Sequence, residues 1–340
     1  MAEETRIRLA HGGGGQLTAE LIAGTILPAL GGGQRADRLT DAAVLEAGAE
    51  KLAFTTDSYV VQPLEFPGGD IGKLAVCGTL NDLAVVGSEP LAMSLSLVLE
   101  EGLEIELLRR VLASAGAAAS EAGVAIVTGD TKAVERGGVA GMIVNTAGVG
   151  RMLPAADLGF DRISPGDEIV LSGPLGEHAL AVMSCREGLS FSAELESDCA
   201  SVCGMARSLI ERLGPSVHFM RDPTRGGLAA TLAEVAAACG RQIEINERAI
   251  PVNRTARAAA EMLGLDLLSA ANEGKLVAFV AAGAGAAAAE ILATDPLGRR
   301  AATIGRVGGT GDPPMVEMVT AIGGRRVVQM PYGEDLPRIC

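Results

Sequence analysis

Hydrophobic positions along the first half of the chain alternate between a period of two and a period near 3.6. Residues 51–61 (KLAFTTDSYVV) predict a strand, closed by a Pro/Gly loop at 62–69. Residues 70–86 have helical spacing, 91–99 alternate as a strand, and 105–122 predict an Ala-rich helix. Two further strands are predicted at 124–127 and 141–149. The stretch 153–167, with its Leu-Pro and Ser-Pro-Gly-Asp turns, reads as a linker. A second cycle then begins, with a strand at 168–172, helices near 175–186 and 200–213, and a helix from the loop 221–227 to about 238. Strands near 242–245, 275–280, 301–307 and 315–319 complete it.

Both halves are therefore α/β. The expected organisation is an N-terminal segment with a Gly-rich loop (1–40), a nucleotide-binding domain (41–155), a C-terminal α/β domain (156–315) and a tail (316–340). Two prolines and a glycine in 330–337 keep the tail's backbone extended.

Candidate chemistry follows the strand ends. His11-Gly12-Gly13-Gly14-Gly15-Gln16 predicts a loop, because four glycines have too much backbone freedom for helix or strand. Asp41, Asp57, Asp82 and Asp130 each stand at a strand end or turn. Singly, each fits a turn former or helix cap. Together, beside a loop offering backbone N–H groups, they suit Mg²⁺ and the phosphates of ATP. The segment 68–73 evokes a P-loop but fails its pattern, since Pro67 replaces the first Gly and Leu74 follows Lys73. Arg221-Asp222-Pro223-Thr224-Arg225 leads into a helix and fits either an anion site or a plain capping loop. Glu273 sits in a turn before a strand.

Composition narrows the function classes. A net charge of −14, no basic run and eight aromatic residues in 340 argue against nucleic-acid binding. No run of eighteen apolar residues predicts a membrane span, and the N-terminus lacks a secretory pattern. Six scattered cysteines fit a reducing cytoplasm rather than a disulfide framework. The last of them, Cys340, ends the chain. It reads either as an incidental thiol or as a carrier on a swinging arm.

The stretches HGGGGQ (11–16), FTTDSYVVQPLEFPGGDIGKLAVCGTLNDLAVVG (54–87), EEG (100–102), TGDTKAVERG (128–137), RDPTRGGLAATLAE (221–234), NEGK (272–275) and the terminal PRIC (337–340) resemble the HypE family of hydrogenase maturation factors. That family belongs to an ATP-dependent superfamily with aminoimidazole ribotide synthetase and selenophosphate synthetase. The PGGDIGKLAVCGTLNDLA block and PRIC are its specific part.

The resemblance implies a two-domain aminoimidazole ribotide synthetase-like fold whose N-terminal domain lends strands to a β-barrel between the subunits of a homodimer. It implies a carbamoyl dehydratase that uses ATP to convert a carbamoyl group on Cys340 to thiocyanate. The carbamoyltransferase HypF loads that group, and cyanide passes to the HypC–HypD complex. On this reading Cys340, Glu273 and Lys132 are catalytic, and Asp57, Asp82 and Asp130 hold Mg²⁺. The nucleotide set is Gly12, Gly13, Gly14, Gly15, Asp41, Thr56, Asp57, Lys73, Asn81, Asp82, Asp130, Arg221 and Asp222. The rivals are a selenophosphate synthetase-like enzyme, whose reactive residue near the N-terminus has no counterpart before Cys77, and a non-catalytic maturation scaffold.

Overall fold

The computed structural model describes residues 6–30, 39–189 and 195–333. The chain opens with a 3₁₀ turn at Leu9–Gly12 and helix α1 (Gln16–Leu21), which runs through a π-helical turn at Ile22–Ile26 into α2 (Leu27–Leu30). Strands β1 (Ala43–Ala47) and β2 (Glu50–Tyr59) form a hairpin. A small ladder of β3 (Glu65–Phe66) with β4 (Gly69–Asp70) leads to α3 (Ile71–Val85). Then come β5 (Ser88–Glu100), α4 (Ile105–Glu121), β6 (Ala125–Thr128), β7 (Thr131–Val134) and β8 (Met142–Met152). These make one sheet in the order β1-β2-β8-β5-β6, with β7 also paired to β5.

Period-two alternation places Ala53, Thr55 and Tyr59 on the covered face of β2, and Phe54, Thr56 and Ser58 on the other. Helix α3 packs on the covered face, with α4 beside it. Asp70 starts α3 by accepting the N–H groups of Gly72 (2.7 Å) and Lys73 (3.0 Å), two of the orphan donors of a helix start. A side chain at Gly72 would collide with the Val111 carbonyl of α4, so glycine there sets how closely the helices approach. Thirteen of the fifteen residues of α3 are buried, as expected of a helix enclosed on all sides; only Lys73 and Asp82 escape. The opposite face of the sheet is uncovered among the described residues, and it carries Leu45 (50% exposed) and Phe54 (44%).

The second domain is built from β9 (Glu168–Leu171), α5 (Glu177–Arg186), α6 (Cys203–Leu213), β10 (Val217–Arg221), α7 (Gly227–Cys239), β11 (Arg241–Asn246), α8 (Arg254–Leu263), β12 (Val277–Val280), α9 (Gly285–Leu292), β13 (Ala302–Thr310), β14 (Val316–Val319) and β15 (Arg325–Val328). Its sheet runs β10-β12-β9-β13-β11-β14-β15. Strand β12 is buried throughout. Val277 and Phe279 pack with Leu228 and Leu232 of α7, and Ala278 and Val280 pack with residues of α6 and α9. That two-sided burial explains an apolar run without alternation.

Two expectations change here. Residues 316–328 are not tail: β14 adds in parallel to β11, and β15 closes the edge of the sheet. Asn81 holds the two domains together instead of binding a nucleotide. It is almost fully buried on α3, its amide donates to the carbonyls of Ala200 (3.1 Å) and Glu273 (3.1 Å), and its oxygen accepts from the N–H of Val202 (2.8 Å). Both amide protons are used in this joint, so the side chain has no donor left for a ligand. Cys340 lies outside the described residues.

Candidate active site

Thr55, Asp57 and Tyr59 occupy every second position of β2, so all three project toward α3 and the second domain. From α3 comes Asp82, one of the two side chains that helix does not bury. Asp41 precedes β1, and Asp222 follows β10 directly. One oxygen from each of Asp41, Asp82 and Asp222 lies within 4.8 Å of the other two. The Thr55 hydroxyl stands 2.8 Å from Asp82 Oδ2 and 2.9 Å from the Asp41 carbonyl oxygen. Arg221 reaches Asp41 through Nε (3.1 Å) and Glu234 of α7 through Nη1 (2.8 Å).

This is a crowded set of buried charges. Burial, and then the neighbouring carboxylates, push Asp82 and Asp222 well above the usual carboxylate range. Burial also raises Asp41, even against Arg221. Burial works against the Arg221 charge too, but Asp41, Glu234 and Asp222 outweigh it and keep the guanidinium protonated. Asp41 Oδ2 and Asp222 Oδ2 are buried with no hydrogen-bond partner. Unsatisfied hard oxygens converging from three segments fit a divalent cation such as Mg²⁺. The group that fits is Asp41, Asp82 and Asp222, with Asp57 beside it, rather than Asp57, Asp82 and Asp130.

A cavity of about 580 Å³ opens over these acids. Its polar end is formed by the carboxylates, Thr56, Thr224 and Arg225; Ile22, Phe160 and Ala237 are among its apolar lining. Gly14 and Gly15 border it. A side chain on Gly14, which has φ +77°, would strike Arg225, and one on Gly15 would strike the Pro331 carbonyl. These glycines therefore let the N-terminal segment close onto two other parts of the wall. Gly12 supplies its carbonyl to Arg225 Nη1 (3.2 Å), and neither it nor Gly13 lines the cavity. The same segment grips the root of the C-terminal arm: Gln16 and Leu17 donate N–H groups to the carbonyls of Pro331 (2.9 Å) and Tyr332 (3.2 Å).

A second chamber of about 30 Å³ adjoins the first and shares Asp57, Asp82, Asp222, Thr224 and Arg225 with it. Ser58, Tyr59, Gly78 and Glu273 are its further walls. Glu273 is 2% exposed, and its Oε1 has no partner. Burial first, then Asp222, Asp198 and Asp57, raise its carboxyl well above the usual range. Its backbone is held firmly. Asp198 accepts from the N–H of Glu273 (3.2 Å) and of Gly274 (3.2 Å), and Lys275 bridges Asp198 (3.0 Å) to Glu177 (3.2 Å). Asn272 fixes the turn from the other side, through Gly176 N and the carbonyls of Pro223 and Ala270.

Three expected residues stand elsewhere. Lys132 of β7 and Asp130, which precedes that strand, are exposed and paired with each other at 2.6 Å. In the register Lys132 lies opposite Val98, next to Leu97, which packs under the helices, so Lys132 is on the uncovered face of the sheet. Lys73 caps the Gly68 carbonyl with Nζ (3.0 Å). None of the three lines either cavity. Residues absent from the expected set but present in the walls include Thr55, Tyr59, Thr224, Arg225 and Glu234. The alternation Thr55-Asp57-Tyr59 was the available signal for two of them.

Residues 39–152 match the N-terminal domain of the AIR synthase related protein family, and residues 164–315 match its C-terminal domain. The carbamoyl dehydratase HypE of Bradyrhizobium diazoefficiens is 46% identical over 334 residues, covering 98% of this chain and 96% of that protein. A crystal structure of a hydrogenase maturation protein HypE in complex with ATP superposes with a TM-score of 0.82 at 44% identity, covering 98% of this chain and all of that one. A HypE–HypF complex gives a TM-score of 0.86 at 40% identity, covering 92% and 99%.

Removing one charge from the acid cluster should separate cation binding from folding. In chelator, Asp82→Asn is expected to melt no lower than the parent, since a buried repulsive charge is lost and the Thr55 contact can be kept. At a Mg²⁺ concentration about 100 times its Kd the parent should gain about 2.7 kcal/mol, and the variant less than about half of that. An equal gain in both proteins, read by thermal melts, would place the cation elsewhere.

Proposed function

Because the chain belongs to the HypE family of carbamoyl dehydratases, with the AIR synthase related domain pair as its fold, we propose that it dehydrates a carbamoyl group on Cys340 to a thiocyanate. ATP drives the reaction, and the product supplies cyanide for [NiFe]-hydrogenase maturation. The observation that carries this reading is the shared wall of the two cavities. A nucleotide in the larger one would bring its γ-phosphate to the acids that border the Glu273 chamber.

The chemistry needs that adjacency. An amide oxygen is a poor leaving group. Attack of that oxygen on the γ-phosphorus breaks the bond to ADP and makes an O-phosphorylated imidate as one N–H proton leaves. The C–O bond then breaks, phosphate departs with the former amide oxygen, and loss of the second N–H proton gives the nitrile. Two protons must therefore be accepted near the nitrogen. A carboxyl whose affinity for protons is raised by burial is better matched to that task than an exposed one. Glu273, held by Asp198 and Asn272, is the base in this reading. Arg225, bordering both chambers, stabilises negative charge on the transferring phosphate. Mg²⁺ held by Asp41, Asp82 and Asp222 would neutralise phosphate charge.

In this reading the thiol enters the chamber on the arm that follows Gly333. Seven residues follow Gly333, and their contour is at most about 25 Å. Their root is held where Met330 borders the large cavity. A tethered substrate gives a high local concentration and keeps cyanide from escaping. The HypE–HypF complex supports HypF as the loading partner, and delivery to HypC–HypD belongs to the same proposal. A cytoplasmic setting accords with the free state of the five described cysteines. No helix among the described residues is long and apolar enough to cross a membrane. The uncovered sheet face with Leu45 and Phe54 supports a homodimer in which a second copy covers it.

Two measurements test this. The intact mass of the chain, after incubation with HypF, carbamoyl phosphate and Mg-ATP, should gain a carbamoyl group at Cys340. That adduct should persist with a non-hydrolysable ATP analogue and lose one water with ATP, whereas Cys340→Ala should bind ATP and gain nothing. A stable carbamoyl adduct that ATP never dehydrates would reject the enzyme reading. In analytical ultracentrifugation the parent should sediment as a dimer and Phe54→Glu as a monomer. A monomeric parent would reject the dimer.

A further inference from the structure

The small chamber contains two buried polar atoms that lack a well-formed hydrogen bond: Glu273 Oε1 and the hydroxyl of Tyr59. Both residues are 2% exposed. Tyr59 is otherwise a core residue, packed with Leu74 and Val144. A phenylalanine would serve such packing without the cost of an unsatisfied hydroxyl. Gly78 of α3 is what admits the oxygen, since a side chain there would strike Tyr59 Oη. The fold thus keeps space at the end of this side chain in a place where it gains nothing for stability. At about 30 Å³, the chamber has room for a group of a few atoms and excludes a metabolite-sized substrate.

The orientation of the hydroxyl follows from its neighbours. Thr146 Oγ1 donates to the Ala75 carbonyl (3.1 Å), which uses its one proton. The 2.5 Å contact between Thr79 and Thr146 must then be donated by Thr79. Thr79, whose side chain stands beside the Tyr59 hydroxyl, has no proton left to give and can only accept. The chain of hydroxyls therefore runs from Thr79 to Thr146 to the backbone, and Thr79 offers the Tyr59 hydroxyl an acceptor without forming a hydrogen bond to it. An acceptor on that side draws the Tyr59 proton away from the chamber, so the lone pairs of its oxygen are the part offered to a ligand inside.

We infer that Tyr59 is a further catalytic residue, whose oxygen accepts an N–H of the carbamoyl group opposite Glu273. This rests on the dehydratase reading and deepens it. An amide held by Tyr59 and Glu273 through its nitrogen has its oxygen directed toward the shared wall of Asp57, Asp82 and Asp222, from which the phosphate arrives. Turned the other way, it would present its nitrogen to the phosphate and leave its oxygen against two acceptors. Tyr59 takes no proton in the reaction and selects the orientation in which oxygen, not nitrogen, is phosphorylated. The chamber's size and its paired acceptors specify a primary carboxamide on a narrow thioester stem.

The test uses full-length chain loaded on Cys340 by HypF, freed of nucleotide, then mixed with Mg-ATP while loss of water is followed by intact mass. Tyr59→Phe should slow dehydration about tenfold at saturating ATP, the scale of one hydrogen bond made in the reacting complex. Its loading rate and its Kd for ATP should stay within about twofold of the parent. Thr79→Val, which removes the acceptor that orients the phenol, should slow dehydration in the same direction, and Thr79→Ser should restore it. Dehydration by Tyr59→Phe within about twofold of the parent overturns the inference, as does a loss of ATP affinity equal to the loss of rate. Should Tyr59→Phe fail to fold, the Thr79 pair decides: a Thr79→Val rate equal to the parent's overturns it. If the loaded parent itself never loses water, the dehydratase reading fails, and the failure is separate from that of Tyr59.

Discussion

Everything at this site depends on carboxylates brought together where water cannot separate them. Asp41, Asp82 and Asp222 come from three distant segments to within 4.8 Å of one another, with Arg221 as the cation between Asp41 and Glu234. At an effective dielectric constant of about 20, each ionised pair at that spacing repels by about 3–4 kcal/mol. A hydrogen bond such as the one available from Thr55 contributes about 1 kcal/mol, so hydroxyls do not balance the repulsion. Burial first, and then this repulsion, raises the proton affinities of Asp82 and Asp222, and one oxygen each of Asp41 and Asp222 is left orphaned. On the proposed reading, a cation and the anion that accompanies it complete this arrangement.

Helix α3 is the element that makes the arrangement possible. Its near-complete burial fixes its rotation, and that rotation aims Asp82 at the cavity, Gly78 at Tyr59 and Asn81 at the second domain. The Glu273 turn is attached to the same helix through Asn81 and to its own domain through Asp198 and Lys275. Breaking such a buried ion pair by removing one member leaves an uncompensated charge, which is costly. Glu273, the base of the proposed reaction, is therefore positioned by Asn81, Asp198 and Lys275, and hydrogen bonds from Asn81 join the two domains at this point.

Much of this was legible in the sequence. Helix α3 was readable from its helical spacing over 70–86, and the long strands β2, β5 and β8 from their alternation. Helices α8 and α9 were missed because alanines supply their buried faces, as at Ala256, Ala259 and Ala260, and a small side chain gives a weak apolar stripe. Strand β14 was legible as a strand near 315–319 but was placed with the tail, and β15 was missed, because each is four residues long and takes its stability from the edge of the sheet. Within the site, Asp41, Asp57, Asp82, Asp222 and Glu273 were recoverable from motifs. Which of them converge was not, because chain order carries no distance. Asn81 and Asp82 show the limit: one step along a helix turns the side chain by about 100°, from the domain joint to the cavity. Asp130 and Lys132 looked equivalent to the cluster in their motif, yet they end on the uncovered side of the sheet, paired with each other.

The most direct test of the account is anomalous diffraction from crystals of the full chain grown with Mn²⁺ and a non-hydrolysable ATP analogue. Manganese is a hard cation suited to the same oxygen ligands as magnesium. The account predicts an anomalous peak among the carboxylates of Asp41, Asp82 and Asp222, shared with phosphate oxygens in the cavity that borders Glu273. Bound nucleotide with the peak at Asp130, or with those three carboxylates protonated and hydrogen-bonded to one another without metal, would contradict it.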